Sequence, residues 1–138
     1  MNWLGWALLS ALFAGATAVL AKVGVQQINS NLATAIRTVV ILVFSSAIAF
    51  FTTSQPLSSI GKRTWVFLIL SGVATGLSWL CYFRALQLGE ASQVAPVDKL
   101  SVVVAIILAA VFLHEHVTWH HWVGGLFIFA GAGILAYA

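Results

Sequence analysis

The sequence predicts an all-α membrane protein with five transmembrane helices. The first indication is composition, because 62% of the 138 residues are hydrophobic and only 7% are charged, whereas a soluble domain carries about 25% charged residues. The second is spacing. Five apolar runs, each near the roughly 20 residues that a helix needs to cross a bilayer, are separated by short polar stretches. The alternating pattern of a membrane barrel strand is absent, so helices satisfy the backbone polar groups in lipid.

The first two segments cover about residues 3–22 and 32–51. Polar residues 26–31 form the turn between them, and Ser30 or Asn31 is expected to cap the second helix, since a side-chain oxygen there accepts a free backbone N–H. No Lys or Arg precedes the first segment. It therefore lacks the basic region of a signal peptide and is expected to remain as a membrane helix.

The other three segments cover about residues 64–86, 94–113 and 119–137. Gly89 is the expected stop of the third helix. Pro96 is expected in the first turn of the fourth helix, where its missing N–H costs nothing. Because every connection is short, neighbouring helices should be antiparallel, and five spans place the two ends of the chain on opposite sides of the membrane.

The membrane orientation is not fixed by the basic residues. Lys62 and Arg63 lie at the side of the N-terminus, called the first side, while Lys22 and Arg84 lie at the second side. Because the two sides carry equal numbers of basic residues, the positive-inside rule does not predict the orientation. The tryptophans are more ordered, because most of them fall near the first side, as an aromatic belt would: Trp3, Trp6, Trp65, Trp119 and Trp122.

Several functional classes are excluded by the sequence. The net charge of +3 comes without a basic patch or tail, which argues against a nucleic-acid partner. No nucleophile–base pair, phosphate loop or dinucleotide fingerprint is present, so we expect neither an enzyme nor a cofactor. The histidines at 114, 116, 120 and 121 surround Glu115 in a turn and lack the order of a zinc motif. We therefore expect a polar loop at headgroup level and no metal site.

Charged residues inside the segments need a reason, because each costs about 2.5–3.5 kcal/mol on insertion scales. Arg37, Arg84, Asp98 and Lys99 fall at a similar shallow depth near the second side. Lys99 and the neighbouring Lys22 are able to reach the headgroups, and Asp98 near a helix start is able to cap it. One carboxylate cannot neutralise two arginines. We expect Asp98 to pair with Arg84 and Arg37 to stay free for an anionic group.

Three motifs together resemble a known family. They are WLCYFRALQLG at residues 79–89 with APVDKLS at 95–101, Leu113-His114-Glu115, and the glycines of residues 124–133. This pattern resembles the EamA domain of the drug/metabolite transporter superfamily, and more closely its five-helix bacterial and archaeal family, over nearly the whole chain. One departure is His114, where the family usually has Gly. The resemblance implies a single half-transporter domain over residues 1–138, and an antiparallel homodimer, since most superfamily members contain two inverted domains.

The resemblance implies an integral transporter of small metabolites or drugs in the cytoplasmic membrane. The alternative is a non-transporting subunit that packs with another membrane protein. The first segment has no carboxylate, unlike the small multidrug resistance family, so the solute is expected to be anionic or zwitterionic. The candidate binding residues are Arg37, Trp79, Tyr82, Arg84 and Asp98. Asp98 is also the candidate for proton coupling, and a polar cavity is expected beside Ser45, Ser78, Trp79 and Tyr82.

The glycines predict where helices pack closely. Gly72 and Gly76 have the spacing with which small residues let two membrane helices approach. The fifth segment carries a larger set, consisting of Gly124, Gly125, Gly131 and Gly133. We therefore expect the fifth segment to lie at or near the dimer interface.

Overall fold

The computed structural model describes residues 2–137, and within them the chain forms α-helices and one short 3-10 turn, with no strand. The helices are α1 (Trp3–Val25), α2 (Ser30–Thr52), α3 (Lys62–Leu88), α4 (Ala91–Asp98), α5 (Ser101–Phe112) and α6 (Trp119–Ala136). Five stretches are long and apolar enough to cross a membrane, with residues 91–112 counting as one span. The prediction of an all-α membrane protein with five spans is confirmed.

The observed helices extend beyond the apolar runs at several ends. α3 begins at Lys62 and ends at Leu88, so it includes polar residues at both of its ends. Hydropathy marks only the part of a helix that lies in hydrocarbon, whereas helical hydrogen bonding continues into the headgroup region. The predicted bounds are therefore a few residues too short.

The cap of α2 is one residue earlier than predicted. Asn29 precedes the helix in an extended conformation, and its side-chain oxygen accepts the backbone N–H of Asn31 at 2.8 Å. Ser30 is already helical, and its carbonyl accepts the hydroxyl of Thr34 at 2.9 Å. The prediction of Ser30 or Asn31 as the cap is wrong, because Asn29 also has the short polar side chain that capping requires.

The fourth span departs most from expectation, because it is interrupted. α4 begins at Ala91, so Pro96 lies inside the helix and not in its first turn. Pro96 has no N–H for the carbonyl four residues earlier, and α4 ends two residues later. The N–H groups of Lys99 and Leu100 bond three residues back, each at 3.0 Å, before α5 begins. Asp98 is thus the last residue of α4, and the prediction that it caps a helix start is wrong.

The chain divides into two compact units, which comprise residues 2–23 with 88–137, and residues 24–87. In the first unit α6 packs against both α4 and α5. Gly125 of α6 is buried, and a Cβ added there would lie 3.7 Å from Ile106 and 3.9 Å from Val103. In the second unit, residues of α2 and α3 together line the groove described below.

The end of α5 contains one strained backbone position. His114 has φ 52°, and it is the residue after the C-cap, Leu113. This left-handed conformation commonly ends helices, but it favours glycine because any Cβ clashes with the backbone. His114 stands where the family that the sequence resembles usually has Gly, so this chain carries an unfavourable residue at this turn.

Replacing His114 with Gly is therefore expected to stabilise the protein by about 0.5–1 kcal/mol. Reversible unfolding in detergent micelles would measure the change. Leu113→Gly is the matched control, because Leu113 has φ −96° and gains nothing from glycine. If His114→Gly lowered stability, side-chain contacts of His114 would outweigh the backbone strain.

Candidate functional site

A groove between α2 and α3 lies in the second unit. Its volume is about 430 Å³, within the range of about 300–1,000 Å³ that is typical of ligand pockets. It is lined by Thr38, Ile41, Leu42, Ser45, Leu68, Ser71, Gly72, Thr75, Gly76 and Trp79. The two glycines keep the groove open, because no atom lies within 4 Å of a Cβ placed at either position. The groove therefore combines apolar walls with four hydroxyl groups.

Arg37 lies beside this groove and stacks on aromatic rings. Its guanidinium carbon is 4.4 Å from the ring centroid of Trp79, which lines the groove, and 5.5 Å from that of Phe83. Phe83 is buried and Arg37 is half-buried. A guanidinium over an aromatic face is stabilised by the ring quadrupole. α3 thus holds the charge in place without a carboxylate.

The second unit contains no acidic residue at all. Residues 24–87 include four basic side chains and no Asp or Glu. Within this unit Arg37 therefore has aromatic faces but no counter-ion. A guanidinium in this state is an attractive partner for a carboxylate or phosphate, which accepts two parallel hydrogen bonds from its fork.

Three of the four hydroxyls of the groove donate to carbonyls of their own helices. Thr38 donates to the carbonyl of Thr34 at 2.8 Å, Ser45 to that of Ile41 at 2.7 Å, and Thr75 to that of Ser71 at 2.9 Å. Each hydroxyl has a single hydrogen, which these bonds occupy. These three hydroxyls therefore present only their oxygen lone pairs to the groove, and lone pairs accept hydrogen bonds.

Arg84 lies outside the lining of the groove. It is exposed, and its guanidinium donates to the side-chain oxygen of Gln87 at 3.0 Å. The Gln87 amide in turn donates to the carbonyls of Val25 at 3.1 Å and Ile28 at 2.7 Å. The sequence analysis missed Gln87. The available signal was an amide at the end of a helix, where free carbonyls of neighbouring helix ends need donors.

Two of the four residues expected beside a polar cavity line this mainly apolar groove. Ser45 and Trp79 line the groove, whereas Ser78 and Tyr82 are not among its lining residues. Tyr82 is half-buried and meets Phe83 edge to face, with 6.4 Å between ring centroids. Tyr82 is thus adjacent in sequence to Phe83, which Arg37 contacts, but it does not line the groove.

Asp98 and Lys99 form an ion pair in the first unit. The Asp98 carboxylate lies 3.3 Å from the Lys99 ammonium, and within residues 2–137 this is the sole ion pair. The side chains of adjacent residues meet because Lys99 lies in the turn between α4 and α5. Lys22 also differs from expectation, since it donates to the carbonyl of Gly89 at 2.8 Å. The pairing of Asp98 with Arg84 and the coupling role of Asp98 stay predictions.

The histidines near α6 have local partners. Thr118 and His121 form a capping box at the start of α6, and the ring of His120 lies 4.3 Å from that of Trp119. Across the described chain, residues 2–137, no group of three or more His, Cys, Asp or Glu side chains is placed to hold a metal ion.

The sequence profile of the EamA-like transporter family matches residues 1–137. The chain belongs to the EamA-like transporter family. It is 58% identical over 136 residues to an "uncharacterized transporter in cobO 3'region" of a Sinorhizobium species, covering 98% of this chain and 96% of the relative. It is 33% identical over 81 residues to a probable 4-amino-4-deoxy-L-arabinose-phosphoundecaprenol flippase subunit, ArnE, of Aeromonas salmonicida strain A449, covering 59% of this chain and 71% of the relative. No solved structure is significantly similar to the chain.

Family membership sets the class of function. A family of transporters, relatives named as transporters and five membrane-spanning stretches make this EamA-like chain a multi-pass membrane transporter of small solutes. The same findings point away from an enzyme. The resemblance drawn from the residues 79–101 and Leu113-His114-Glu115 motifs is therefore confirmed at the level of the family.

Of the glycines expected to pack helices, Gly125 alone has neighbours in the described structure. A Cβ at Gly124, Gly131 or Gly133 would meet no atom within 4 Å. Gly124 and Gly131 are seven residues apart and so share a face of α6, turned about 100° from that of Gly125. This face of α6 is open to lipid or to another protein.

Proposed function

We propose that this transporter moves an anionic or zwitterionic small solute across the cytoplasmic membrane, and that Arg37 holds the anionic group. The observation that carries the proposal is the Arg37 guanidinium stacked on Trp79 beside the groove between α2 and α3. A charge placed in a membrane span is expensive, so such residues are usually retained for function.

Stacking leaves the binding edge of Arg37 available. The cation–π contact places the guanidinium carbon over the Trp79 ring and does not occupy an oxygen acceptor, so the N–H groups of Arg37 keep their capacity to donate. The Trp79 ring therefore orients the fork and leaves its donors able to grip a carboxylate or phosphate. Arg84 adds positive charge in the same unit, and Asp98 remains the candidate carboxylate for proton coupling.

The name of one relative supports this charge class. The flippase substrate named for the Aeromonas protein carries an amino group and a phosphate. A solute of that kind presents an anionic group for Arg37, and a cation would be repelled by the four basic residues of the unit.

Binding by charge class tests the proposal. Purified protein in detergent would be heated with panels of anionic, zwitterionic and cationic metabolites. Binding to the folded state raises the melting temperature, so anions or zwitterions are expected to produce the shifts. A clear preference for cations would contradict the proposal.

We also propose a homodimer whose contact includes the open face of α6. Five spans form one half of the usual superfamily unit, and Gly124 and Gly131 leave room for the backbone of a second helix to approach. The balanced basic residues permit both orientations, which an antiparallel pair requires.

The dimer proposal predicts that Gly124→Leu lowers the dimer fraction by about tenfold or more, because a large side chain keeps the helices apart. Energy transfer between labelled copies in lipid vesicles would measure it. Gly15→Leu in α1 is the matched control, since Gly15 is also exposed and unobstructed. Equal dimer fractions for Gly124→Leu and the wild type would place the interface elsewhere.

A second candidate function is that of a subunit that works only with another membrane protein. The observation in its favour is that the Aeromonas relative is named as a flippase subunit. Reconstitution of the purified chain alone into vesicles separates the two candidates, because transport by the chain alone would exclude a required partner.

A further inference from the structure

The groove between α2 and α3 has two chemically different ends. Arg37 and Trp79 are in contact, and the groove lining includes residues of α2 from Thr38 up to Ser45 and residues of α3 from Trp79 down to Leu68. Ser45 on α2 and Ser71 on α3 are each eight residues from that pair, and both line the groove. One end therefore carries a guanidinium, and the other is flanked by two serines.

The Ser45 side of the serine end is suited to a hydrogen-bond donor. The Ser45 hydroxyl donates to the carbonyl of Ile41 at 2.7 Å, which leaves its lone pairs for the groove. Thr75, between the two ends, is oriented in the same way by its bond to the Ser71 carbonyl. At Ser45 and Thr75 a carboxylate would find no hydrogen without breaking these bonds, whereas an ammonium or hydroxyl group would find acceptors.

The distance between the two ends of the groove sets the length of a molecule that would reach both. Seven residues of α2 separate Thr38, next to Arg37, from Ser45, and at 1.5 Å per residue they span about 10 Å. The space between is clear, because Gly72 and Gly76 have no atom within 4 Å of an added Cβ. An extended molecule fits this path better than a compact one.

From these three observations we infer that the transported solute is elongated, with a carboxylate or phosphate at the Arg37 end and a hydrogen-bond donor at the Ser45 and Ser71 end, about 10 Å away. The walls between are mainly apolar, with Ile41, Leu42 and Leu68 among them. The inference rests on the proposed function, since it assumes that Arg37 holds the anion.

A set of three probes tests the length and the polarity of the site. ω-Aminooctanoate has a carboxylate and an ammonium far enough apart to reach both ends, γ-aminobutanoate is too short, and octanoate lacks the donor. Binding to the purified full-length protein would be measured by calorimetry. We expect ω-aminooctanoate to bind about tenfold more tightly than γ-aminobutanoate, and Ser45→Ala to remove about tenfold of its affinity while leaving octanoate unchanged.

Two further variants keep the outcomes distinct. Ser71→Ala repeats the test from the facing helix in case Ser45→Ala fails to fold. Arg37→Gln should weaken ω-aminooctanoate and octanoate alike, and if it weakens neither, the proposed function itself fails. If Arg37→Gln weakens both probes but neither serine variant changes ω-aminooctanoate binding, the donor subsite is wrong and the anion site stands.

Discussion

Replacing Arg37 with Lys is expected to weaken the binding of anionic solutes by about ten- to a hundredfold. Lysine keeps the positive charge but loses the planar fork that forms two parallel hydrogen bonds, and it loses the flat face that stacks on Trp79. Charge-assisted hydrogen bonds contribute about 1.5–3 kcal/mol each, which corresponds to this range. Calorimetric titration with an anion selected by thermal shift would measure the change.

Arg63→Lys is the matched control for this substitution. Arg63 also lies over an aromatic ring, that of Phe67 at 5.8 Å, but it is not part of the groove. Arg63→Lys should leave binding unchanged. A loss of affinity in Arg37→Lys alone would therefore be due to the position of Arg37 at the groove and not to replacing any arginine with lysine. Wild-type affinity in Arg37→Lys would mean that the anion is held elsewhere, with Arg84 the next residue to test.

Filling the groove should have the larger effect on binding. Gly76→Leu places a branched side chain beside Thr75 and Trp79, in space that is empty around the glycine. A solute and this side chain cannot occupy the same volume, so we expect binding to fall by about a hundredfold or more. The fold should persist, because an added Cβ meets no neighbour.

Gly15→Leu provides the control for a bulky residue on a membrane helix, because it adds the same side chain in α1. The dimer fraction of Gly76→Leu should also be measured. If Gly76→Leu disrupted the dimer and left solute binding intact, the groove would be a helix contact between copies and not a solute site.

The sequence could predict the spans because the length of an apolar run matches the thickness of the bilayer core. It could also predict that Ser45 and Trp79 lie beside a cavity, since polar and amphipathic residues inside a span need a partner other than lipid. It could not predict that Arg37 stacks on Trp79. That contact depends on how α2 and α3 are shifted relative to each other, and many shifts satisfy the same apolar pattern.

The sequence did not predict the start of α4, the cap of α2 or the hydrogen bonds of Gln87, because at each place neighbouring residues suit more than one local structure. Pro96 is tolerated at a helix start and disruptive inside a helix, so its effect depended on where α4 begins. The polar residues before it suggested a loop, yet Ala91, Ser92 and Gln93 are helical. Asn29 and Ser30 are both suitable caps, and they are adjacent in the sequence. The two hydrogen bonds that the Gln87 amide donates could not be predicted, because the sequence does not tell which helix ends lie together.

If the groove between α2 and α3 is the solute site, water reaches it and Arg37 makes it select anions. This expectation is tested by a single thiol at Thr75, four residues or about 6 Å along α3 from Trp79, with Cys81 replaced by Ser. The reaction rates of sulfonatoethyl and trimethylammonioethyl methanethiosulfonate would be compared, each relative to its rate with free cysteine. A nearby positive charge should favour the anionic reagent by about tenfold, and Arg37→Gln should abolish that preference. Failure of both reagents to react, or a preference for the cationic one, would contradict the account.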